Sequence, residues 1–265
     1  MLQCFTRARA FELFQNDFFS LIHLFLVCFI NWLLEPPSQQ GFHKIVVIGD
    51  QFGLGIGDTI FGNGLTGLCD KLLILLNSSY VVKLNWLLYN KAEYEAQSSD
   101  WLLSSPKKLF QRLFEDPKYY NCEFVVVMLG SQDYIMHQTD NTTFTADKTF
   151  QNIVCIVEAL ERLGKRVVIS FIPNPESWNL KKSKNIENCF AHQVNTKLMT
   201  KYQNSSVTLG PLCDISNYKY FRSDFYEPFR PNFNKKGYKF YASEMFDVIL
   251  PKVVKFELEY LIEQS

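Results

Sequence analysis

Residues 43–58 read HKIVVIGDQFGLGIGD, and this stretch decides the fold more than any other. The run from Lys44 to Ile48 is short and apolar, which is typical of a buried strand. Gly49 and Asp50 follow directly, and a Gly-Asp pair is typical of a turn. The sequence therefore predicts a strand that ends in a Gly-Asp turn, with Gln51 as the first residue beyond it.

Two later blocks complete the pattern. An apolar run at residues 123–129 leads into GSQD at residues 130–133, and EPFRPN at residues 227–232 precedes a Gly-Tyr pair at residues 237–238. The three blocks, in this order, resemble the SGNH (GDSL-type) hydrolase family, which shows Gly-Asp-Ser, then Gly-x-Asn-Asp, then Asp-x-x-His-Pro-Asn with Gly-Tyr after it. The resemblance covers the chain from about Phe42 to its C-terminus, and it implies a flavodoxin-like α/β/α fold.

The match holds at the positions that shape the turns. The matching positions are Gly49, Asp50, Gly130, Asp133, Pro231, Asn232, Gly237 and Tyr238. Because Asp50, Gly130 and Asp133 stand at the ends of predicted strands, we expect them to contact a ligand if the domain binds one.

The match fails at the positions that carry the chemistry. The resemblance places Gln51 where the family has its nucleophilic serine, and Gln132 where it has the oxyanion asparagine. Arg230 takes the place of the basic histidine, and Glu227 takes that of the aspartate that orients it. The oxyanion glycine of the family aligns best with Glu95.

These substitutions remove the chemistry of ester hydrolysis. A serine hydrolase needs a hydroxyl that can be deprotonated and a base that accepts its proton near neutral pH. A glutamine amide is a poor nucleophile, and arginine has no acceptor and stays charged. The longer stem of Gln132 also moves an oxyanion donor by about a methylene, and such sites are sensitive to errors on the order of 1 Å. We therefore expect a catalytically inactive pseudo-esterase that acts as a binding or scaffold domain.

An active esterase, lipase or acyltransferase with a different catalytic set is the alternative. His137 follows the Gln132 loop and is the substitute base that could reach the strand-end crevice. His43 precedes the first strand, so we expect it at the opposite edge of the sheet. Ser131 lies next to the oxyanion position and is not favoured as the nucleophile.

Apolar strands and helices alternate along the rest of the chain. Strands are predicted at residues 44–48, 80–86, 123–129, 166–172 and 207–209, and helices at residues 65–76, 106–114, 146–163, 184–202 and 235–261, the last kinked or broken near Pro251. The strands are apolar on both faces, as in a parallel sheet that helices cover. This order predicts a doubly wound, three-layer α/β/α sandwich with a five-stranded parallel sheet, in which sites lie at the carboxyl ends of the strands.

Composition fits one globular domain and argues against several classes of binding site. The chain has 265 residues, 47% of them hydrophobic, which is enough for a large core. A formal net charge of +0 gives no electrostatic footprint for nucleic acid. The glycine spacing at residues 53–57 is G-x-G-x-G, not that of a dinucleotide loop, and the 7 cysteines include no Cys-x-x-Cys pair. We therefore predict neither a metal site nor a cofactor.

The N-terminal 41 residues differ in character from the domain at residues 42–265. From Phe18 to Leu34 the sequence is almost unbroken in its apolar character, and a linker, EPPSQQG, follows at residues 35–41. A membrane-spanning helix needs about 20 apolar residues and at least about 17. Arg7 and Arg9 precede the run, as on a cytoplasmic flank. We expect a single-pass signal-anchor that tethers the domain to a membrane, and the alternative is an amphipathic or buried helix packed on the domain. A cleaved signal peptide is less favoured, because no small-residue A-x-A-like site follows.

Overall fold

The fold is a doubly wound parallel sheet covered by helices. A computed structural model describes residues 41–58, 67–173, 189–213, 217–220, 222–227 and 232–264. The strands in these residues are β1 His43–Gly49, β2 Trp86–Asn90, β3 Phe124–Met128, β4 Arg166–Ile169 and β5 Thr208–Leu209. They form one parallel sheet in the order β2-β1-β3-β4-β5, and Ile45 pairs with both Leu88 and Phe124. The predicted five-stranded parallel sheet is confirmed.

Helices connect the strands. The α-helices of the described residues are α1 Gln51–Leu54, α2 Gly67–Ser78, α3 Leu109–Phe114, α4 Pro117–Tyr120, α5 Ser131–His137, α6 Ala146–Arg162, α7 Phe190–Tyr202 and α8 Lys235–Gln264. Short 3-10 turns lie at Ser98–Trp101, Tyr218–Tyr220 and Ser223–Phe225. Helix α2 packs against α8, and α6 packs against α7. Because the sheet grows in opposite directions from β1, right-handed crossovers place these two pairs on opposite faces. The three-layer sandwich is therefore confirmed.

The core lies on both faces of the central strands. Every residue of β1, from His43 to Gly49, and of β3, from Phe124 to Met128, is buried. This explains their continuous apolar character, because neither face of a parallel sheet covered by helices meets water. The strand ends, where polar residues follow the apolar runs, are therefore the places at which the sheet can present chemistry.

The predicted position of the second strand is wrong. The β-branched residues at 80–86 indicated a strand there, but Tyr80 is 86% exposed and β2 begins only at Trp86. The backbone N–H groups of Lys83 and Leu84 donate to the buried carboxylate of Glu257, at 2.9 and 3.0 Å. A side chain of α8 thus takes the hydrogen bonds that a sheet partner would otherwise supply.

Two further boundaries differ from the prediction. Strand β4 ends at Ile169, because the Ile172 N–H donates to the side chain of Asn195 at 2.9 Å and the chain leaves the sheet. Helix α8 is not broken at Pro251 but runs on to Gln264. Buried residues precede and follow the proline, so packing against the domain outweighs its missing hydrogen bond.

The N-terminal segment from Phe18 to Leu34 lies outside the described residues, and so do residues 65–66 and 184–188 of two predicted helices. Within the part of the chain that the structure describes, no helix is both long and apolar enough to span a membrane. The anchor and the division at residue 41 stay predictions.

Candidate functional site

The strand-end crevice is formed where β1 and β3 run into short helices. Gly49 closes β1, and a Cβ atom added there would lie 2.3 Å from the carbonyl oxygen of Met128 on β3. The Asp50 N–H donates to that same oxygen at 3.1 Å. Gly130 begins α5 with a φ of 109°, in the left-handed region that favours glycine. Glycine is therefore required for the two turns to lie side by side.

The carboxylate of Asp50 joins these two turns. Its Oδ1 accepts from the Phe52 N–H at 2.9 Å and from the Ser131 hydroxyl at 2.7 Å. Its Oδ2 accepts from the N–H groups of Ser131 at 2.8 Å and Gln132 at 3.1 Å. One side chain thus caps both α1 and α5, whose first N–H groups have no partner within their own helices. The Gly-Asp pair after β1 has a structural role that does not depend on the residue at position 51.

Burial perturbs this carboxyl group. Asp50 has no solvent exposure, and desolvation raises its pKa from 3.8 to about 6. The hydrogen bonds from Ser131, Phe52 and Gln132 oppose that rise, and the nearby charge of Asp133 adds to it. Asp50 therefore titrates close to neutral pH in a site that excludes water.

Asp133 performs a similar structural task one turn away. It accepts from the Ser98 N–H at 2.9 Å, from the Ser98 hydroxyl at 2.6 Å and from the Thr149 hydroxyl at 3.1 Å. Burial raises its pKa, and the hydrogen bonds from Ser98 are the main opposing contribution. These bonds fasten α5 to the Ser98–Trp101 turn and to α6. Both carboxylates thus bond to protein groups, and ligand binding by Asp50, Gly130 and Asp133 stays a prediction.

The structure brings Gln51 and Gln132 to one place. Each is among the first residues of a short helix, and each is 6% exposed. Gln51 directly follows Asp50, whose carboxylate accepts the Gln132 N–H. The two positions that the resemblance assigned to the nucleophile and to an oxyanion donor are therefore neighbours at the carboxyl edge. A single strand-end crevice was expected from the sequence.

The third block approaches the same edge. Glu227 is half-buried, and a Cβ added at Gly57 would lie 3.1 Å from its Cγ. The Glu227 N–H donates to the carbonyl of Asn232 at 2.9 Å, so these two residues lie close together. The next residue, Phe233, packs against Phe52 of α1, with ring centroids 5.3 Å apart. Arg230 itself lies outside the described residues.

Glu95 has the backbone conformation of a glycine position. Its φ is 54°, in the left-handed region that residues with a side chain rarely adopt. It lies in the segment after β2, and its side chain is exposed. The alignment of Glu95 to the oxyanion glycine of the family stays a prediction.

The candidate substitute bases lie away from the crevice. His43 is the first residue of β1, about 23 Å along the strand from Asp50 at ~3.3 Å per residue. His137 ends α5, about 9 Å along the helix from Ser131 at ~1.5 Å per residue. Its Nδ1 lies 2.6 Å from the carbonyl oxygen of Phe144, so Nδ1 carries the proton and donates. Neither histidine can accept the proton of the Ser131 hydroxyl directly.

The crevice is closely packed where the described residues line it. The residues around this point, among them Asp50, Met128, Ser131 and Phe171, leave no room for a water molecule between them. The aromatic ring of Trp101, whose Nε1 donates to the Gly49 carbonyl at 3.2 Å, supports the turn. Sequence reasoning missed this tryptophan and Ser98, because neither belongs to a motif. Within the described residues, no group of three or more histidine, cysteine, aspartate or glutamate side chains could hold a metal ion.

Comparison with known proteins identifies the fold. No family model and no curated protein matches the sequence. A catalytic mutant of Axe2, an acetylxylan esterase from Geobacillus stearothermophilus, has a TM-score of 0.57 at 14% identity, over 83% of this chain and 96% of that chain. The esterase EstA from Pseudoalteromonas sp., inhibited by monoethylphosphonate, has a TM-score of 0.55 at 15% identity, over 80% and 98%. A protein of the G-D-S-L family from Desulfitobacterium hafniense, described as lipolytic, has a TM-score of 0.54 at 15% identity, over 77% and 98%.

The chain has the fold of the SGNH (GDSL-type) hydrolases. The SGNH fold accounts for the two paired turns and for the approach of the third block to the carboxyl edge. Gln51 is the first helical residue after β1, and its assignment to the nucleophile position stays a prediction.

Proposed function

We propose that this protein is a catalytically inactive member of the SGNH fold class that serves as a binding or scaffold domain. One observation carries the proposal: the turn after β1 is intact, with Asp50 capping both helices, yet the residue that it presents is Gln51. An amide at this position cannot be deprotonated near neutral pH and forms no acyl ester. The turn after β1 is thus formed by Asp50, while the residue that follows it is an amide and not a hydroxyl.

The residue at position 230 supports the same proposal. Arginine stays protonated and has no acceptor, so it cannot act as a general base. We expect it to pair with a carboxylate and to close the crevice. Asp50 already accepts four hydrogen bonds and Asp133 three, so Glu227, three residues earlier in the chain, is the favoured partner. The rival is that the guanidinium faces the crevice and captures an anionic ligand.

A second candidate function rests on the contact between Ser131 and Asp50. The serine hydroxyl lies 2.7 Å from a carboxylate whose pKa is about 6, and such a pair could in principle support an esterase or acyltransferase. Two features oppose it. The residues around the pair leave no room for a water molecule. Asp50 also accepts hydrogen bonds from three backbone N–H groups, which hold it in place.

Hydrolysis of a short-chain aryl ester separates the two candidates. We expect the wild type to match the buffer rate and the double variant Gln51→Ser/Arg230→His to gain turnover, because this pair restores the nucleophile and the base. Gln51→Asn/Arg230→His is the matched control, since it restores the base without a hydroxyl. Turnover by the wild type that Ser131→Ala or His137→Ala abolishes would show that the protein is an active enzyme.

A further inference from the structure

The amino edge of the sheet, opposite the strand-end crevice, carries a second cleft. It has a volume of about 340 Å³ and lies between the starts of β3 and β4, the turn before β5, and α8. The charged residues that line it are Arg166, Lys252, Lys255 and Glu259, and the hydroxyl-bearing ones are Ser205, Ser206 and Thr208. Three positive charges therefore face one negative charge. The volume falls in the range of small-molecule sites, about 300–1,000 Å³.

The spacing of the lining residues on α8 explains how they meet. Lys252, Lys255 and Glu259 are three and four residues apart, which places them on one face of the helix. Phe256 stands on the same side and is buried against the sheet. The two exposed ammonium groups therefore lie on the same side of the helix as this apolar surface.

Arg166 is held in position from two directions. Its guanidinium carbon lies 4.7 Å from the ring centroid of Phe256 and 5.9 Å from that of Phe124. Its Nη2 donates to Glu259 at 3.0 Å. In the described part of the chain its remaining N–H groups have no hydrogen-bond partner. The aromatic rings and the carboxylate thus orient a planar donor group that has donors to spare.

The other donors of the cleft differ in what they already bind. The hydroxyls of Ser205 and Ser206 donate to the Tyr202 carbonyl and to Glu161, at 3.0 and 2.9 Å. Lys255 lies 3.7 Å from Glu259, longer than a direct hydrogen bond. Neither Lys252 nor the Thr208 hydroxyl makes a hydrogen bond or an ion pair with any of the described residues. The lining therefore carries a net charge of +2. Its available donors are a guanidinium, two ammonium groups and the Thr208 hydroxyl.

We propose that this cleft binds a phosphomonoester group. Such a group carries about −1.5 to −2 charge at pH 7 and three acceptor oxygens, which matches the charge and the donor set. A carboxylate would balance only one of the two net positive charges. The planar fork of Arg166 suits two oxygens of a phosphoryl group, and the lysines bind as point charges. The site lies at the other edge of the sheet from Gln51, so it does not depend on the proposed inactivity.

The phosphomonoester could belong to a soluble metabolite or to a lipid headgroup. His43, where the chain enters the sheet, lies 5.1 Å from the ring centroid of Phe256. The predicted membrane anchor therefore joins the domain at the same edge as the cleft. The two sources share one chemistry, and the experiment below distinguishes them.

Calorimetric titration of the full chain in a neutral detergent with inorganic phosphate at pH 7.5 tests the site. We expect saturable binding that weakens roughly ten-fold or more in Arg166→Gln/Lys252→Gln, because charge-assisted hydrogen bonds are lost. Glu259→Gln should bind more tightly than the wild type, since it removes the one negative charge. Lys239→Gln changes an exposed lysine of the same helix outside the cleft and should leave binding unchanged. Circular dichroism melting confirms that each variant is folded.

Binding to lipid vesicles then shows whether the phosphomonoester belongs to a lipid headgroup or to a soluble molecule. Phosphatidylcholine vesicles with phosphatidic acid, whose headgroup is a phosphomonoester, are compared with vesicles that contain phosphatidylglycerol, a phosphodiester. A preference for phosphatidic acid that Arg166→Gln/Lys252→Gln abolishes supports a lipid ligand. Phosphate binding without that preference supports a soluble ligand. The proposal is overturned if phosphate does not saturate the wild type, or if the cleft variants and Lys239→Gln bind it equally.

Discussion

The hydroxyl of Ser131 offers a direct measure of how strongly the two strand-end turns are coupled. It donates to Asp50 at 2.7 Å inside the closely packed crevice. A hydrogen bond to a charged group contributes about 1.5–3 kcal/mol. Because Asp50 is fully buried, solvent does not replace the lost donor, and we expect Ser131→Ala to cost about 2 kcal/mol of unfolding free energy at pH 7.

A matched control exists on the surface. The Ser206 hydroxyl also donates to a carboxylate, that of Glu161 at 2.9 Å, but this pair is exposed. Ser206→Ala should cost no more than about 0.5 kcal/mol, as surface substitutions do. Urea denaturation of wild type and both variants, at pH 7 and pH 5, supplies the comparison.

The pH dependence makes the test sharper. The Ser131 hydroxyl lowers the pKa of Asp50, so its removal raises that pKa further above about 6. The cost of Ser131→Ala should therefore be larger at pH 7, where the carboxylate is ionised, than at pH 5, where it is largely protonated. If Ser131→Ala and Ser206→Ala cost the same at both pH values, the carboxylate does not join the turns as described.

Two further predictions rest on buried carboxylates, and a third rests on the N-terminal sequence. Burial raises the pKa of Asp50 from 3.8 to about 6, so the contribution of this group to stability is present below about pH 4 and declines by about 3 kcal/mol as pH rises past 6. Urea denaturation should therefore show that the wild type loses stability relative to Asp50→Asn between pH 4 and pH 7. Glu257→Ala should lower the free energy of unfolding by about 3 kcal/mol or more, because the N–H groups of Lys83 and Leu84 and the Trp86 Nε1 lose their acceptor. Glu257→Gln should lower it by less. An equal loss for both variants in chemical denaturation would contradict this. Deletion of residues 1–41 should give a monodisperse, cooperatively unfolding domain by size-exclusion chromatography and thermal melting, whereas an aggregated product would favour a packed N-terminal helix.

The sequence predicted the sheet and the meeting of the first two blocks well, for a physical reason. Buried parallel strands are apolar on both faces, so residues 44–48 and 123–129 were recognisable without a partner. The second strand was misplaced because the N–H groups of Lys83 and Leu84, which precede it, bond to Glu257, more than 170 residues later in the chain. No local pattern reveals a contact of that kind.

The sequence predicted where the site residues lie, but not the contacts that hold them in place. The Gly-Asp turn and the GSQD block indicated where Gln51 and Gln132 would lie. The motifs did not show that Asp50 caps both helices, nor that Ser98 and Thr149 hold Asp133. Those contacts arise from packing between distant segments, and the residues that supply them are common types without a characteristic spacing.

The absence of a nucleophile is the central claim, and covalent labelling tests it most directly. Intact mass spectrometry of the wild type after incubation with a serine-directed phosphonate should show no adduct, while Gln51→Ser/Arg230→His should gain one at residue 51. The double variant is the positive control that the reagent reaches the crevice. A stoichiometric adduct on the wild type, located by peptide mapping at Ser131 or another crevice residue, would contradict the account.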